Sequence, residues 1–513
     1  MVWSRMPPSD MTTPPHKTTP RAAANLLIRI DPRARGALQQ QIYAGLRSAI
    51  LDGVVQPGTR LPSSRALAVD LGVSRTTSLL ALEQLLAEGY LTARRGSGTF
   101  VAYELPDDLP RVRTPRPTTS SRHPPLSRRG EALASVGPAA RRVGGPGGPP
   151  RPFRIGVPAL DLFPVRLWAQ LANRRLRSVS VAQLDYGDAA GFLPLREAIA
   201  DHVRTARGTR CDPDHVVVVA GAQRGVDWMC SVLLDPGDEA WMEEPGYQGT
   251  RKALLAAGAR IVPVRVDAEG LDVAAGARLA GAARLVCVTP SHQFPLAVPM
   301  SLPRRLALLK WASAARAWVI EDDYNSEFRY GSRPIPCLHG LDVDGRVIYV
   351  GSFAKTFFPA LRLGFLIVPA DLHERLLAAR RAAELHPQTL DQAVLADFIA
   401  GGHFERHLRR MRAAYRERLE ALSAAAERHC RGVLRVRETR AGLHAVADID
   451  GVDARHVFEE AAARGVEVMP LSAYYFGRGK PQNALVLGFG AVRPDGMDAG
   501  MRKLAAAIEA ARP

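Results

Sequence analysis

Gly351-Ser352-Phe353-Ala354-Lys355-Thr356-Phe357-Phe358-Pro359-Ala360-Leu361-Arg362-Leu363-Gly364 places a lysine three residues after a serine and seven before an arginine. A lysine amine can form an imine with an aldehyde once it loses its proton. A small hydroxyl and a guanidinium at these distances can hold a phosphate on the same ligand. Apolar runs flank the stretch, Val347–Val350 before it and Phe365–Val368 after it. The reactive run therefore reads as a connection between two buried strands.

Working outward, further short apolar runs occur at Val216–Val219, Glu239–Met242, Ile261–Val264, Leu285–Thr289 and Trp318–Glu321. Helical patterns lie between most of them, such as Leu195, Ile199 and Val203 on one face. Strand and helix alternation predicts an α/β body from about residue 153, a largely parallel sheet with helical layers. We expect a large part at about residues 190–395. From about residue 396 to 513 the chain turns helix-rich, with strands near Val446 and Leu485, which predicts a smaller C-terminal α+β domain. Gly221-Ala222-Gln223 follows the Val216–Val219 strand and opens a helix, where free backbone N–H groups attract phosphate.

The front of the chain reads differently. The net charge is +17 over 513 residues. Residues 1–103 carry 12 Lys/Arg against 6 Asp/Glu, and residues 104–150 carry 8 against 4. More than half of the positive surplus thus lies in the first 150 residues, as suits a polyanion partner such as double-stranded DNA. An arginine-rich proteome would give the same bias. Residues 1–34 read as a disordered leader, with Met6 and Met11 as alternative starts. Met1 to Ala24 has no apolar stretch and so is no secretory signal. No run approaches the ~18 apolar residues of a membrane span. The five cysteines (Cys211, Cys230, Cys287, Cys337, Cys430) form no CxxC pair. Neither a metal site nor a disulfide framework is indicated, which suits reduced thiols in a cytoplasm.

Leu38, Ile42, Leu46 and Ile50 mark one helical face, broken by Gly53 and Pro57-Gly58. Ser63 or Ser64 can cap a second helix running to about Asp70, and Leu71-Gly72-Val73 is a tight turn. Ser74 caps a third helix, whose expected core face is Leu79, Leu82 and Leu86. Tyr90 to Val101 reads as a hairpin with a basic, Gly-rich tip. Together these describe a winged helix-turn-helix over residues 35–103. Residues 104–152 hold ten prolines between 104 and 150 and show no periodic pattern, which predicts a linker. The exposed start of the third helix, Ser74-Arg75-Thr76-Thr77, is where base edges are read. Arg65 is placed for a backbone contact, and Arg94, Arg95 and Gly96 form the wing tip.

This stretch resembles the winged-helix domain of the GntR regulators. The likeness rests on Leu61-Pro62-Ser63-Ser64-Arg65-Ala66-Leu67-Ala68, Leu71-Gly72-Val73-Ser74-Arg75-Thr76-Thr77, Glu88-Gly89-Tyr90-Leu91 and Arg95-Gly96-Ser97-Gly98-Thr99-Phe100-Val101. It implies DNA contacts by Arg65, Ser74, Arg75, Thr76 and Gly96, beside the wing-tip candidate Arg95.

The body resembles fold-type I aminotransferases, which use pyridoxal 5′-phosphate (PLP). More narrowly it resembles the MocR-type subfamily, in which such a body is fused to a GntR head. Beside the Lys355 run, the likeness rests on three blocks. These are Tyr186-Gly187-Asp188 with Gly191 and Leu195-Arg196, then Thr289-Pro290-Ser291-His292-Gln293-Phe294-Pro295, then Glu321-Asp322-Asp323-Tyr324 with Ser326-Glu327-Phe328-Arg329-Tyr330. The resemblance implies that Lys355 forms the imine and Asp322 pairs with the ring nitrogen. It implies that Tyr324 bonds the phenolic oxygen and Tyr247 stacks on the ring. Ser352, Arg362, Ala222 and Gln223 would hold the phosphate. His292 is a further candidate contact, and Arg224 and Arg251 are candidates for an effector carboxylate. A buried, positively charged surrounding is expected to lower the Lys355 pKa.

Two departures stand out. The Asn-Pro-Thr-Gly-like block of aminotransferases is replaced by Ser291-His292-Gln293 and Pro295-Leu296-Ala297. Val486 stands where a late arginine would grip a substrate α-carboxylate. Both weaken the case for efficient transamination and leave turnover undecided. The expected function is a cytoplasmic transcriptional regulator that senses PLP or an amine effector, working as a head-to-tail homodimer. The competing expectation is a working aminotransferase carrying a DNA-binding head.

Overall fold

The computed structural model describes residues 30–31, 37–106, 126–135, 150–330, 336–477 and 479–512. The chain divides into two compact units between Pro124 and Pro125.

In the first unit, α1 (Leu38–Leu51), α2 (Ser64–Leu71) and α3 (Arg75–Ala87) precede the antiparallel strands β1 (Leu91–Arg94) and β2 (Gly98–Val101). Ser63 caps α2 by accepting from the Ala66 amide, and Gly72 ends it with φ +64°. Ser74 caps α3 through the Thr77 amide. Ile42, Leu46 and Ile50 are buried as expected. The buried face of α3 is Ser78, Ala81, Leu82 and Leu85; of the expected Leu79, Leu82 and Leu86, only Leu82 is buried. Leu79 is 39% exposed, and Leu86 is only partly buried. The difference arises at Ser78, whose hydroxyl donates to the Ser64 and Arg75 carbonyls at 2.6 and 3.0 Å. A small polar residue thus faces α2, which an apolar count overlooks. The leader, apart from Ile30 and Asp31, lies outside the described residues.

The expected linker is not uniformly patternless, for Arg128–Ser135 is helical. The short Arg128-Arg129-Gly130-Glu131-Ala132-Leu133-Ala134-Ser135 sequence holds few apolar residues, so periodicity there was too weak to register.

The body holds β3 (Val216–Val219), β4 (Glu239–Glu244), β5 (Arg260–Asp267), β6 (Gly270–Leu271), β7 (Leu285–Val288), β8 (Trp318–Asp323), β9 (Val347–Ser352) and β10 (Gly364–Ile367). They form one sheet in the order β3-β10-β9-β8-β7-β4-β5-β6. The centre, from β9 to β5, is parallel, whereas β10 runs antiparallel to both neighbours and β6 to β5. Valines and isoleucines fill strands covered on both faces. A second, antiparallel sheet holds β11 (Leu434–Val436), β12 (His444–Ile449), β13 (Met469–Pro470) and β14 (Ala484–Gly488), in the order β11-β12-β14-β13. Helices His403–His429 and Pro494–Ala510 pack against each other beside it. The segment from Phe153 joins this sheet, pairing with Gly488 as an isolated antiparallel bridge.

Open α/β sheets bind ligands beyond the carboxyl ends of their parallel strands. Glu243, Thr289, Asp322 and Ser352 all stand at or just past such ends. One glycine is required for the site strand to pair with β10. A Cβ on Gly351 would sit 2.2 Å from the Phe365 ring opposite it. Gly351→Ala is expected to lower stability by about 1–3 kcal/mol, the usual effect of forcing extra volume into a packed core. Denaturant unfolding monitored by circular dichroism measures it.

Candidate functional site

A cavity of about 620 Å³ opens beyond the parallel strands, within the size range of small-molecule sites. Lys355, Asp322, Tyr324, Tyr247, Ser352, Arg362, Ala222 and Gln223 all line it. The chain brings them from the ends of β3, β4, β8 and β9 and from the loop after β9.

Lys355 Nζ donates to the Gly156 carbonyl at 2.7 Å. Burial lowers its pKa to about 8, against the opposing pull of Asp322. The expected cause is thus half right: desolvation lowers the value, but the nearby charge is a carboxylate, not a cation. Asp322 is half-buried at the end of β8, and its Oδ1, which is buried, has no hydrogen-bond partner among the described residues. Burial and the charge of Asp323 raise its pKa to about 7, with Lys355 opposing. Asp323, by contrast, turns away and accepts from Arg207 and Tyr349 at 3.1 and 2.6 Å. The adjacent carboxylates are therefore separated by the strand alternation, one facing the cavity and one the ion network behind it.

At the other end of the lysine run, Gly221 adopts φ +88° and caps helix Ala222–Leu233. The first N–H groups of that helix are free to meet an anion. Arg362 lies against Gly221 and donates to the Ala220 carbonyl at 2.9 Å. The Ser352 hydroxyl accepts from the Ala354 amide at 3.2 Å. Gln223 is held by the Gly249 carbonyl at 2.9 Å. The Tyr324 hydroxyl donates to the His292 carbonyl at 3.0 Å. Tyr247 packs edge-on to Phe294, with ring centres 5.6 Å apart.

Three candidates stand elsewhere. The His292 ring packs behind the cavity against Tyr324 and His444, and burial holds its pKa well below the usual value. Arg224 pairs with Asp227 and Glu384. Arg251 lies over the Phe476 ring at 4.7 Å. Neither arginine lines the cavity.

Several lining residues escaped sequence reading. Asn325 is buried with an unpartnered Oδ1, one residue past the tyrosine of its block. His444 on β12 donates from Nε2 to the Pro295 carbonyl at 3.1 Å. Burial and Lys355 hold its pKa down at about 4, against that bond. Glu243 lies beneath the cavity, accepting from Thr289 at 2.6 Å, with its pKa raised by burial to about 7. Arg154, Gly156 and Glu467 complete the wall.

On the first unit, Arg65, Ser74, Arg75, Thr76, Arg95 and Gly96 are all exposed. Gly96 turns the wing tip with φ +77°. The Ser74 hydroxyl is engaged as a cap, lying 2.7 Å from the Thr77 hydroxyl.

A lysine-centred cavity at the mouth of such a sheet, in a chain headed by a winged helix, defines an aminotransferase-like module joined to a DNA-binding one. Residues 153–497 match the family model for aminotransferase class I and II, and residues 38–101 that for bacterial regulatory proteins of the gntR family. The chain is 40% identical to the probable rhizopine catabolism regulatory protein MocR of Rhizobium meliloti, over 94% of this chain and 96% of that one. It is 34% identical to the regulator TauR of Rhodobacter capsulatus, covering 93% and 98%. The pyridoxine biosynthesis regulator PdxR of Corynebacterium glutamicum is 32% identical, covering 91% and 95%. Among solved structures, the α-aminoadipate aminotransferase LysN of Thermus thermophilus, complexed with N-(5′-phosphopyridoxyl)-L-leucine, aligns with TM-score 0.64 at 29% identity, covering 70% and 92%. This chain belongs to the MocR-type GntR transcriptional regulators, with a GntR winged helix and a fold-type I aminotransferase-like body. None of the described helices is long and apolar enough to cross a membrane.

Proposed function

We propose that the body of this regulator holds PLP through Lys355 and senses either that cofactor or an amine that reacts with it. The observation that carries the reading is the buried, unpartnered Oδ1 of Asp322 in the same cavity as Lys355. A carboxylate oxygen without a donor is unfavourable in a dry site, and a protonated ring nitrogen would satisfy it. When bound, PLP supplies an aldehyde that condenses with amines and a ring that withdraws electrons.

The chain's own residues do the rest. Ala222 and Gln223 at the helix N-terminus, the Ser352 hydroxyl and Arg362 hold the phosphate. Tyr247 would cover the ring, and Tyr324 would bond its phenolic oxygen. His292 contributes its carbonyl to Tyr324, not its ring. A free Lys355 ammonium rests on the Gly156 carbonyl, so the amine has a defined place when a ligand displaces it. Differential binding to two arrangements of body and head then shifts the DNA-bound population. Two bodies pair head to tail in the cytoplasm, and their heads read paired operator sites through Arg65, Ser74, Arg75, Thr76, Arg95 and Gly96. The test is a gel shift on the protein's own promoter with and without PLP. Specific binding that PLP or an amine modulates is expected; none under either condition overturns the reading. Steady-state transamination that survives deletion of residues 1–103 would favour the enzyme instead.

The pH dependence follows from Lys355. The neutral amine is the nucleophile, and its pKa is about 8 in the folded chain. Cofactor uptake by the apoprotein is expected to quicken by about tenfold per pH unit below that value and to level off above it. Rapid-mixing absorbance from pH 6 to 9 reads this out. A rate still climbing steeply at the top of that range contradicts a lowered pKa.

A further inference from the structure

Resting on the reading just given, we propose that Arg154, and no residue of β14, grips the oxyanion of an effector that carries a primary amine at its other end. The far end of the cavity decides this. Val486 on β14 is fully buried in an apolar cluster with Val446, Leu471 and Tyr474, so β14 offers no cation to a ligand. Two cations other than Lys355 and the phosphate-end Arg362 line the cavity, Arg154 and Lys252.

Arg154 is held in place from several directions. The Gly488 amide donates to the Phe153 carbonyl at 2.8 Å, and the Glu467 amide to the Pro152 carbonyl at 3.0 Å. A Cβ on Gly488 would fall 2.1 Å from the Arg154 carbonyl, so only glycine lets the segment lie this close. Glu467, itself buried, approaches the guanidinium through Nε at 3.7 Å. That contact leaves the two Nη groups without a hydrogen-bond partner among the described residues. A guanidinium steadied at Nε, with its outer fork open, is the geometry that receives an oxyanion in two parallel bonds. Two residues on, Gly156 receives the Lys355 ammonium. One short segment therefore carries both the fork and the resting place of the reactive amine. A ligand with an amine at one end and an oxyanion at the other can address both. Lys252 stands on helix Gln248–Ala256 with a flexible stem and no such brace, and is the weaker candidate.

The test uses the full-length, PLP-loaded protein and follows the cofactor absorbance during titration. Paired probes are β-alanine and 4-aminobutyrate against propylamine and butylamine, with taurine to separate sulfonate from carboxylate. At least one acid is expected to perturb the band at about tenfold lower concentration than its acid-free partner. Arg154→Gln should remove that advantage and leave the plain amines unchanged, while Arg154→Lys, which keeps the charge but not the fork, restores part of it. Equal response to acids and plain amines, an unaltered Arg154→Gln titration, or a loss that follows Lys252→Gln instead, overturns the proposal. A wild-type protein with no cofactor band overturns the PLP reading itself, and is thereby told apart.

Discussion

Lys355→Ala is expected to abolish both the cofactor absorption band and every PLP- or amine-dependent change in DNA binding. Borohydride treatment of the PLP-soaked wild type should add the mass of a reduced cofactor at residue 355, and the variant should gain none. The effect is large because Lys355 alone of the two lining lysines combines a pKa lowered to about 8 with a place at the Asp322 end of β8; Lys252 stands on helix Gln248–Ala256. Folding should survive, since the side chain makes one hydrogen bond, to Gly156. Unchanged DNA binding by the variant in the absence of ligand separates loss of sensing from loss of structure. A variant that still responds to PLP would show that the cavity reads the phosphate and ring alone.

Arg75→Ala should weaken operator binding by about 1–3 kcal/mol, tenfold or more, and relax preference at one base position. Arg75 is the first residue of α3, exposed, directly after the capped turn at Ser74. Ser74→Ala should act differently. Its hydroxyl accepts from the Thr77 amide, so the substitution removes a helix cap worth about 1 kcal/mol as well as any phosphate contact. Fluorescence anisotropy on operator and scrambled duplexes at fixed salt distinguishes them. Arg75→Ala changes the ratio between the two duplexes, whereas loss of a phosphate contact lowers both alike. An Arg75→Ala ratio equal to wild type would move base reading elsewhere on the head.

The winged helix and the sheet strands were legible because their signals are local: capping serines, turn glycines and short apolar runs at fixed spacing. That Ser352, Lys355 and Arg362 share one cavity was legible for the same reason, because all three lie on one connection. Residues that reach the cavity from far along the chain were not. His444 arrives on β12, after a turn at Gly442 with φ +80°. Arg154 and Gly156 arrive by pairing with β14, more than 300 residues away in sequence. No periodicity or motif length predicts such neighbours, because tertiary pairing alone creates them. The misplaced face of α3 has a different origin. Ser78 is polar by composition yet fully buried, its hydroxyl spent on two carbonyls. Arg224 and Arg251 read as candidates for an effector carboxylate, but an ion pair and an aromatic face already engage them.

The Pro152–Gly156 segment has a mechanical meaning as well. It is stitched to the small sheet at Gly488, and it ends on the carbonyl that steadies Lys355. Whatever loosens or tightens the grip on that amine therefore tugs on the small sheet through main chain alone, with no relay of side chains between the two.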